Sequence, residues 1–191
     1  HIRQKGVRLI LNDGVKSIAD SGTGLKITLS NEELFADMVI MSVGVRPDTS
    51  IAKNAGLNVN SRGAIIVDEH MLTSEKDIYA VGDAVEITDF VTGQKGYIPL
   101  AGPANKQGRI VADNICGIDR TYKGTQGTGI LKCFDLTVAT TGITELRAKE
   151  LNINYEKSFT YSASHATYYP GALNMSIKII FEKDNGRLLG A

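Results

Sequence analysis

Thr73-Ser74-Glu75-Lys76-Asp77-Ile78-Tyr79-Ala80-Val81-Gly82-Asp83 is the stretch on which the reading of the fold turns. Asp77 to Val81 reads as a short strand, and Gly82-Asp83-Ala84 closes it. A strand that ends on an aspartate puts a carboxylate at the edge where open α/β sheets take their ligands. Gly82 lets backbone come close to a bound molecule, and Asp83 offers an acceptor to sugar-type hydroxyls. A bare Gly-Asp also has a plainer reading, in which the aspartate caps the next turn.

Upstream of this stretch the chain alternates strands and turns. His1 to Lys5 reads as the tail of a helix closed by Gly6. Val7–Leu11 reads as a buried strand, and Val15–Ala19 and Leu25–Leu29 as two strands joined by Ser21-Gly22-Thr23-Gly24. Phe35-Ala36-Asp37 leads into Met38–Ser42, an apolar run of the buried-strand type. Gly44-Val45-Arg46-Pro47 breaks that run, because Pro47 disfavours helix at Arg46. Asp48 or Thr49 is expected to cap a short helix through Ala55, with Gly56 ending it. Ala64–Val67 adds one more short strand.

Downstream, Ile87–Val91 reads as extended and Thr92-Gly93-Gln94 as a turn. A helix is expected to open with Gly102 at its N-cap and Pro103 at N1, and to run to about Cys116. Its small residues Ala104, Gly108 and Ala112 leave room for another backbone or a flat ligand. Leu131–Thr140 reads as an alternating strand, and Thr144 caps a helix through Leu151. Strands follow at Tyr155–Ser162 and Leu173–Phe181. Asp184-Asn185-Gly186 then reads as a type I′ hairpin turn into a return strand from Arg187. This β-α-β-β order has no glycine-rich phosphate loop and no crossover, so a separate α+β domain is expected. A chain that opens on a helix end and closes inside a hairpin is expected to be a piece of a longer protein.

The 191 residues suffice for one medium domain or two small ones. Acidic and basic residues balance at 21 each, which gives no electrostatic footprint for nucleic acid. No run approaches the roughly 18 consecutive apolar residues that span a membrane. The two cysteines, Cys116 and Cys133, form neither a CxxC pair nor a zinc-ligand spacing. They read as structural, no metal site is expected, and a reducing cytoplasm is the simplest setting.

Thr73, five intervening residues and then Tyr79-Ala80-Val81-Gly82-Asp83 resembles the second FAD-binding motif of the pyridine nucleotide-disulfide oxidoreductases. Gly44-Val45-Arg46-Pro47 resembles that family's connector from the NAD domain back into the FAD domain. Pro99-Leu100-Ala101-Gly102-Pro103-Ala104-Asn105-Lys106-Gln107-Gly108-Arg109 is similar to the branch of coenzyme A-disulfide reductases, NADH oxidases and NADH peroxidases. Phe134 to Gly142 and Ser164 to Ala172 resemble the same branch's interface domain.

The resemblance implies partial dinucleotide-binding, Rossmann-like α/β domains followed by part of an α+β interface (dimerisation) domain. Residues 1–44 would close the NAD(P)-binding domain, 45–118 would be the returning segment of the FAD-binding domain, and 119–191 would begin the interface domain. It implies an FAD- and NAD(P)H-dependent oxidoreductase that forms a homodimer and reduces coenzyme A disulfide or a related disulfide. Reduction of oxygen or peroxide is the alternative, and a non-catalytic dimerisation module is a third reading. On the same ground, Asp83 with Gly82 would meet the ribityl chain of FAD. Leu100 and Ala101 would meet the flavin's pyrimidine side through their backbone, where the free N–H groups of a helix start favour negative charge. Tyr168 and Tyr169 would be candidates for substrate contact from a partner subunit, although a half-packed surface loop is an equal reading. His165 reads as a hydrogen-bonding residue and His70 as surface. The family's redox cysteine is implied to lie outside this sequence. So are both Gly-x-Gly-x-x-Gly fingerprints, and without them neither FAD nor NAD(P)H is expected to be retained.

Overall fold

In the computed structural model, which describes residues 1–191, the alternation read between Val15 and Ala36 becomes a three-stranded antiparallel meander. Its strands are β1 (Ser17–Asp20), β2 (Leu25–Thr28) and β3 (Glu33–Ala36). Ile27 and Leu29 are buried, and Ser21 N–H donates to Gly24 O at 2.9 Å across the first hairpin. The opening helix end is one 3-10 turn, Arg3–Lys5, closed by Gly6. The chain divides into two compact units, His1–Val45 with Cys133–Leu136 and Arg46–Lys132 with Thr137–Ala191.

Two expected strands of the first unit do not form. Val7–Leu11 and Met38–Ser42 lie outside every sheet, and Val7, Leu11, Met38, Ile40 and Met41 are exposed. A buried parallel strand needs hydrogen-bonded neighbours, and neither run finds one within this chain.

The second unit opens on α1 (Ser50–Asn54). Thr49 holds the N-cap position, but its hydroxyl donates to Gly63 O at 2.5 Å instead of capping the helix. The helix closes as expected, with Gly56 N–H on Lys53 O at 3.0 Å and Leu57 N–H on Ala52 O at 2.9 Å. The strands expected at Ala64–Val67 and Asp77–Val81 are reduced to isolated bridges, Ile65 with Val59 and Val85, and Tyr79 with Leu72. Burial fixes them all the same, because Ala52, Ile65, Val67, Met71, Val85 and Ile87 form one apolar cluster. β4 (Ile87–Thr88) pairs with β5 (Lys95–Gly96), and α2 (Ala101–Ile115) follows.

The stretch read as a single strand over Leu131–Thr140 is a hairpin. β6 (Gly129–Cys133) pairs with β7 (Leu136–Thr140) around Phe134, whose φ is +57°. Alternation is the same in one long strand and in two short ones, and Phe134-Asp135 carries no turn signature. Thr144 then caps α3 (Glu145–Glu150), its hydroxyl accepting from Arg147 N–H at 3.2 Å. β8 (Tyr155–Ala163), β9 (Asn174–Glu182) and β10 (Leu188–Gly190) form an antiparallel sheet in the order β10-β9-β8. The turn after β9 is not type I′, because only Gly186 has a positive φ, +72°, and Asn185 does not. Asn185 instead donates to Glu182 and accepts from Arg187 N–H at 2.8 Å, which shapes a four-residue loop. Ile143, Ala148, Ile180, Leu189 and Val91 make the second buried cluster. No helix is long and apolar enough to cross a membrane.

Candidate functional site

Thr73 starts the construction of the site. Its backbone N–H donates to Ile78 O at 2.9 Å, and its hydroxyl joins both the N–H and the O of Glu75 at 3.2 Å. This folds Ser74–Asp77 into a compact turn and sends the chain back as Ile78–Val81. Ala80 N–H then donates to Met71 O at 3.1 Å.

Val81 is fully extended at φ −145°, and Gly82 swings to φ +81°. A side chain would strain that conformation, so glycine permits the reversal. Gly82–Ala84 forms one 3-10 turn, and Ala84 O accepts from Ile65 N–H at 2.8 Å. Val85 and Ile87 drop into the core directly after it. The turn is therefore anchored on both sides while the Asp83 carboxylate stays exposed.

The turn packs against α2. A Cβ placed on Gly82 would lie 3.9 Å from the Ala104 Cβ, one helical turn in from the start of α2. That helix begins earlier than expected. Leu100, not Gly102, is the N-cap, and Pro103 is the third helical residue instead of the first. Proline is tolerated anywhere in the first turn, because those N–H groups have no intrahelical acceptor, so its presence alone does not fix the register. Leu100 has no side-chain oxygen with which to cap. The N–H groups of Ala101 and Gly102 are left open beside exposed backbone, and the first helical bond runs from Ala104 N–H to Leu100 O at 3.2 Å. Of the three small residues read as leaving room, Ala104 alone meets another element; Gly108 and Ala112 face outward.

Gly82, Asp83, Leu100 and Ala101 are thus gathered by one contact between turn and helix. The turn offers an exposed carboxylate, and the helix start offers two open backbone donors at its positive end. That arrangement suits a molecule carrying several hydroxyls beside an electron-rich carbonyl.

Three further side chains belong to this neighbourhood, and the sequence reading had not singled them out. Gln107 is fully buried, and its Oε1 accepts from Gly82 N–H at 2.7 Å. Tyr97 is half-buried; burial first and the charge of Asp83 second push its phenol above the usual range. The Tyr122 phenol is raised by burial, with Gln107 and Thr125 beside it pulling the other way. A polar residue among Ala104, Ile110 and Val111 on the inner face of α2 was the one available signal for Gln107.

Tyr168 and Tyr169 stand elsewhere, in the loop between β8 and β9. Their rings lie 4.8 Å apart and are 81% and 60% exposed. Ser164 N–H closes that loop on Leu173 O at 2.8 Å, and His165 Nδ1 lies 3.2 Å from the Ser164 hydroxyl. Cys116 is exposed at the end of α2 and Cys133 half-buried at the end of β6, both unpaired. His70 is half-buried, its Nδ1 lying 3.1 Å from Arg120 O.

Residues 1–108 match the family model described as pyridine nucleotide-disulphide oxidoreductase, and residues 130–191 match that family's dimerisation domain. A structure of reduced CoADR-RHD from Bacillus anthracis superposes with a TM-score of 0.93 at 47% identity, covering 100% of this chain and 34% of that one. The NAD(P)H sulfur oxidoreductase (CoA-dependent) of Pyrococcus abyssi is 32% identical over 96% of this chain and 41% of its own length. An NADH oxidase of Methanocaldococcus jannaschii is 33% identical over 100% of this chain and 42% of its own length. The chain spans about two-fifths of the length of these curated relatives.

Proposed function

We propose, from the premise that this chain belongs to the pyridine nucleotide-disulphide oxidoreductase family, that it carries half of an FAD site in an NAD(P)H-dependent reductase. The observation that carries this reading is the Gly82–Ala84 turn seated against the uncapped start of α2. The exposed Asp83 carboxylate and the open N–H groups fit the two polar ends of a flavin, its ribityl hydroxyls and its pyrimidine carbonyl.

In this reading Asp83 accepts from a ribityl hydroxyl. The helix start, through Leu100 and Ala101, holds the pyrimidine side where negative charge develops on reduction. FAD, when bound, supplies hydride acceptance from NAD(P)H and onward delivery of two electrons. The two electrons and two protons convert one disulfide into two thiols. A single redox cysteine relays them, and we place it, with both glycine-rich fingerprints, in the length of such relatives that this chain does not cover. Neither Cys116 nor Cys133 lies on the turn or at the start of α2. On its own this chain is not expected to retain FAD or NAD(P)H.

Coenzyme A disulfide, or a related disulfide, is the preferred acceptor. Support comes from the CoA-dependent name of the Pyrococcus relative and from the 47% identity to the Bacillus CoADR structure. Oxygen or peroxide is the second reading, supported by NADH oxidases matched over the whole chain. We assign residues 1–44, 45–118 and 119–191 to the NAD(P), FAD and interface domains, in that order. The interface domain would join two copies, as its family match implies, and would present Tyr168 and Tyr169 to the partner's site. A dimerisation module without catalysis remains the reading of another class, and flavin content separates it from the enzyme. The unpaired cysteines suit a reducing cytoplasm.

The test is Asp83→Ala in the whole enzyme. Loss of one hydrogen bond to a charged group should weaken FAD binding by about 1.5–3 kcal/mol, read by flavin release on dilution. Unchanged FAD affinity would remove Asp83 from the site.

A further inference from the structure

We propose that Gln107 is the positioning residue of the Asp83 turn, holding the flavin's hydroxyl acceptor against α2 without touching the cofactor. The proposal rests on the flavoprotein reading above and adds to it a residue that acts from behind the site.

Gln107 is completely buried by the protein's own side chains and backbone. A side chain with no accessible surface beside an open site does not reach a ligand there. What it does reach is the backbone of the turn, since its Oε1 accepts the Gly82 N–H at 2.7 Å. The first N–H of a helical turn has no acceptor within that turn. Gly82 sits at φ +81°, where nothing in its own conformation fixes the direction of Asp83. The bond from Gln107 supplies that direction. It ties the residue before Asp83 to the same helix whose open end lies nearly two turns away.

The other end of the amide points to the same conclusion. With its oxygen committed to Gly82, Gln107 must turn its NH2 group away from the turn. Gln107 Nε2 and the Tyr122 hydroxyl are the two buried side-chain polar atoms left without a partner, and the two groups are neighbours. Burying an amide among apolar side chains costs free energy unless it is bonded, so a residue kept there has a bonding task. Tyr122 is itself fixed, its backbone N–H donating to Glu69 O at 2.7 Å. Turn and helix are thereby joined through one side chain, with Tyr122 beside it. An ordinary core position on this face of α2 would take an apolar side chain, as Ile110 and Val111 illustrate.

A double-mutant cycle on FAD affinity in the whole enzyme tests the proposal. Gln107→Leu keeps the volume and removes the acceptor, and should weaken FAD about tenfold. In an Asp83→Ala background the same substitution should have an effect under about twofold, because the group it positions is gone. Gln107→Glu retains an oxygen for Gly82 and should recover affinity to within about threefold of wild type. An equal loss in both backgrounds would overturn the proposal, since that is the signature of general destabilisation. So would wild-type affinity in Gln107→Leu. Where Gln107→Leu does not fold, Gln107→Asn withdraws the acceptor by one methylene and serves in the same cycle. A second readout needs no cofactor. Exchange of the Gly82 amide hydrogen in the cofactor-free enzyme should be about tenfold faster in the variant, and an unchanged rate overturns the proposal. Should Asp83→Ala alone leave FAD affinity unaltered, it is the flavin reading that falls, and the Gly82 exchange rate still decides the role of Gln107.

Discussion

Glu145 collects more donors than any other carboxylate of the chain. Tyr155 Oη reaches it at 2.9 Å and Lys157 Nζ at 2.7 Å, Lys178 bonds its second oxygen, and Lys149 stands at 3.5 Å. Hydrogen bonds from Lys157, then Lys178, then Tyr155 hold its carboxyl well below the usual carboxylate range. A lowered folded pKa means stability that is complete above the ordinary glutamate value of 4.5 and is lost as the pH falls below it. Glu145→Gln should therefore lower the melting temperature at neutral pH, and the gap to wild type should narrow steadily as the pH falls below about 4.5. Salt should narrow the gap as well, because the three lysines are 34–63% exposed. A gap independent of pH would contradict this account. At the same scale, the turn that carries Asp83 was legible in the sequence because its neighbours specify it, with Thr73 folding the loop and Gly82 reversing the chain. Gln107 was not, because its meaning depends on a partner 25 residues away.

Elements with local signals followed the sequence closely. Thr144 caps α3, Gly56 ends α1, and β8 and β9 pair from Tyr155–Glu182 to Ala163–Asn174. Elements whose signal depends on a neighbour did not. The β6–β7 hairpin turns on Phe134, and alternation cannot show where a strand folds back. Val7–Leu11 and Met38–Ser42 carry the apolar composition of parallel strands but find no strand beside them in this chain. β10 is short yet closes the second core. Leu189 is 1% exposed and packs with Ile143, Ala148 and Ile180. Leu189→Ala should cost about 2–5 kcal/mol, read as a lowered urea midpoint with an unchanged slope. A loss below about 1 kcal/mol would mean that β10 does not seal that core.

For the whole molecule, the packing of the Gly82–Ala84 turn on the start of α2 is the organising feature. Turn and helix start lie some twenty residues apart in sequence and meet through Gly82 and Ala104. The family was legible from motifs because a dinucleotide site constrains short strings. The substrate was not, because loops such as the one carrying Tyr168 and Tyr169 have no short string that names a ligand. Exposed apolar side chains on the β8–β9 sheet, among them Phe159, Tyr161, Met175 and Ile177, fit the match of this segment to a dimerisation domain. The most direct test of the account is the visible spectrum of the purified whole enzyme, followed through NADH addition with coenzyme A disulfide, oxygen or peroxide as acceptor. A yellow protein whose flavin band bleaches with NADH and returns on adding the disulfide is the predicted result. A colourless protein that leaves NADH unconsumed with all three acceptors would contradict it.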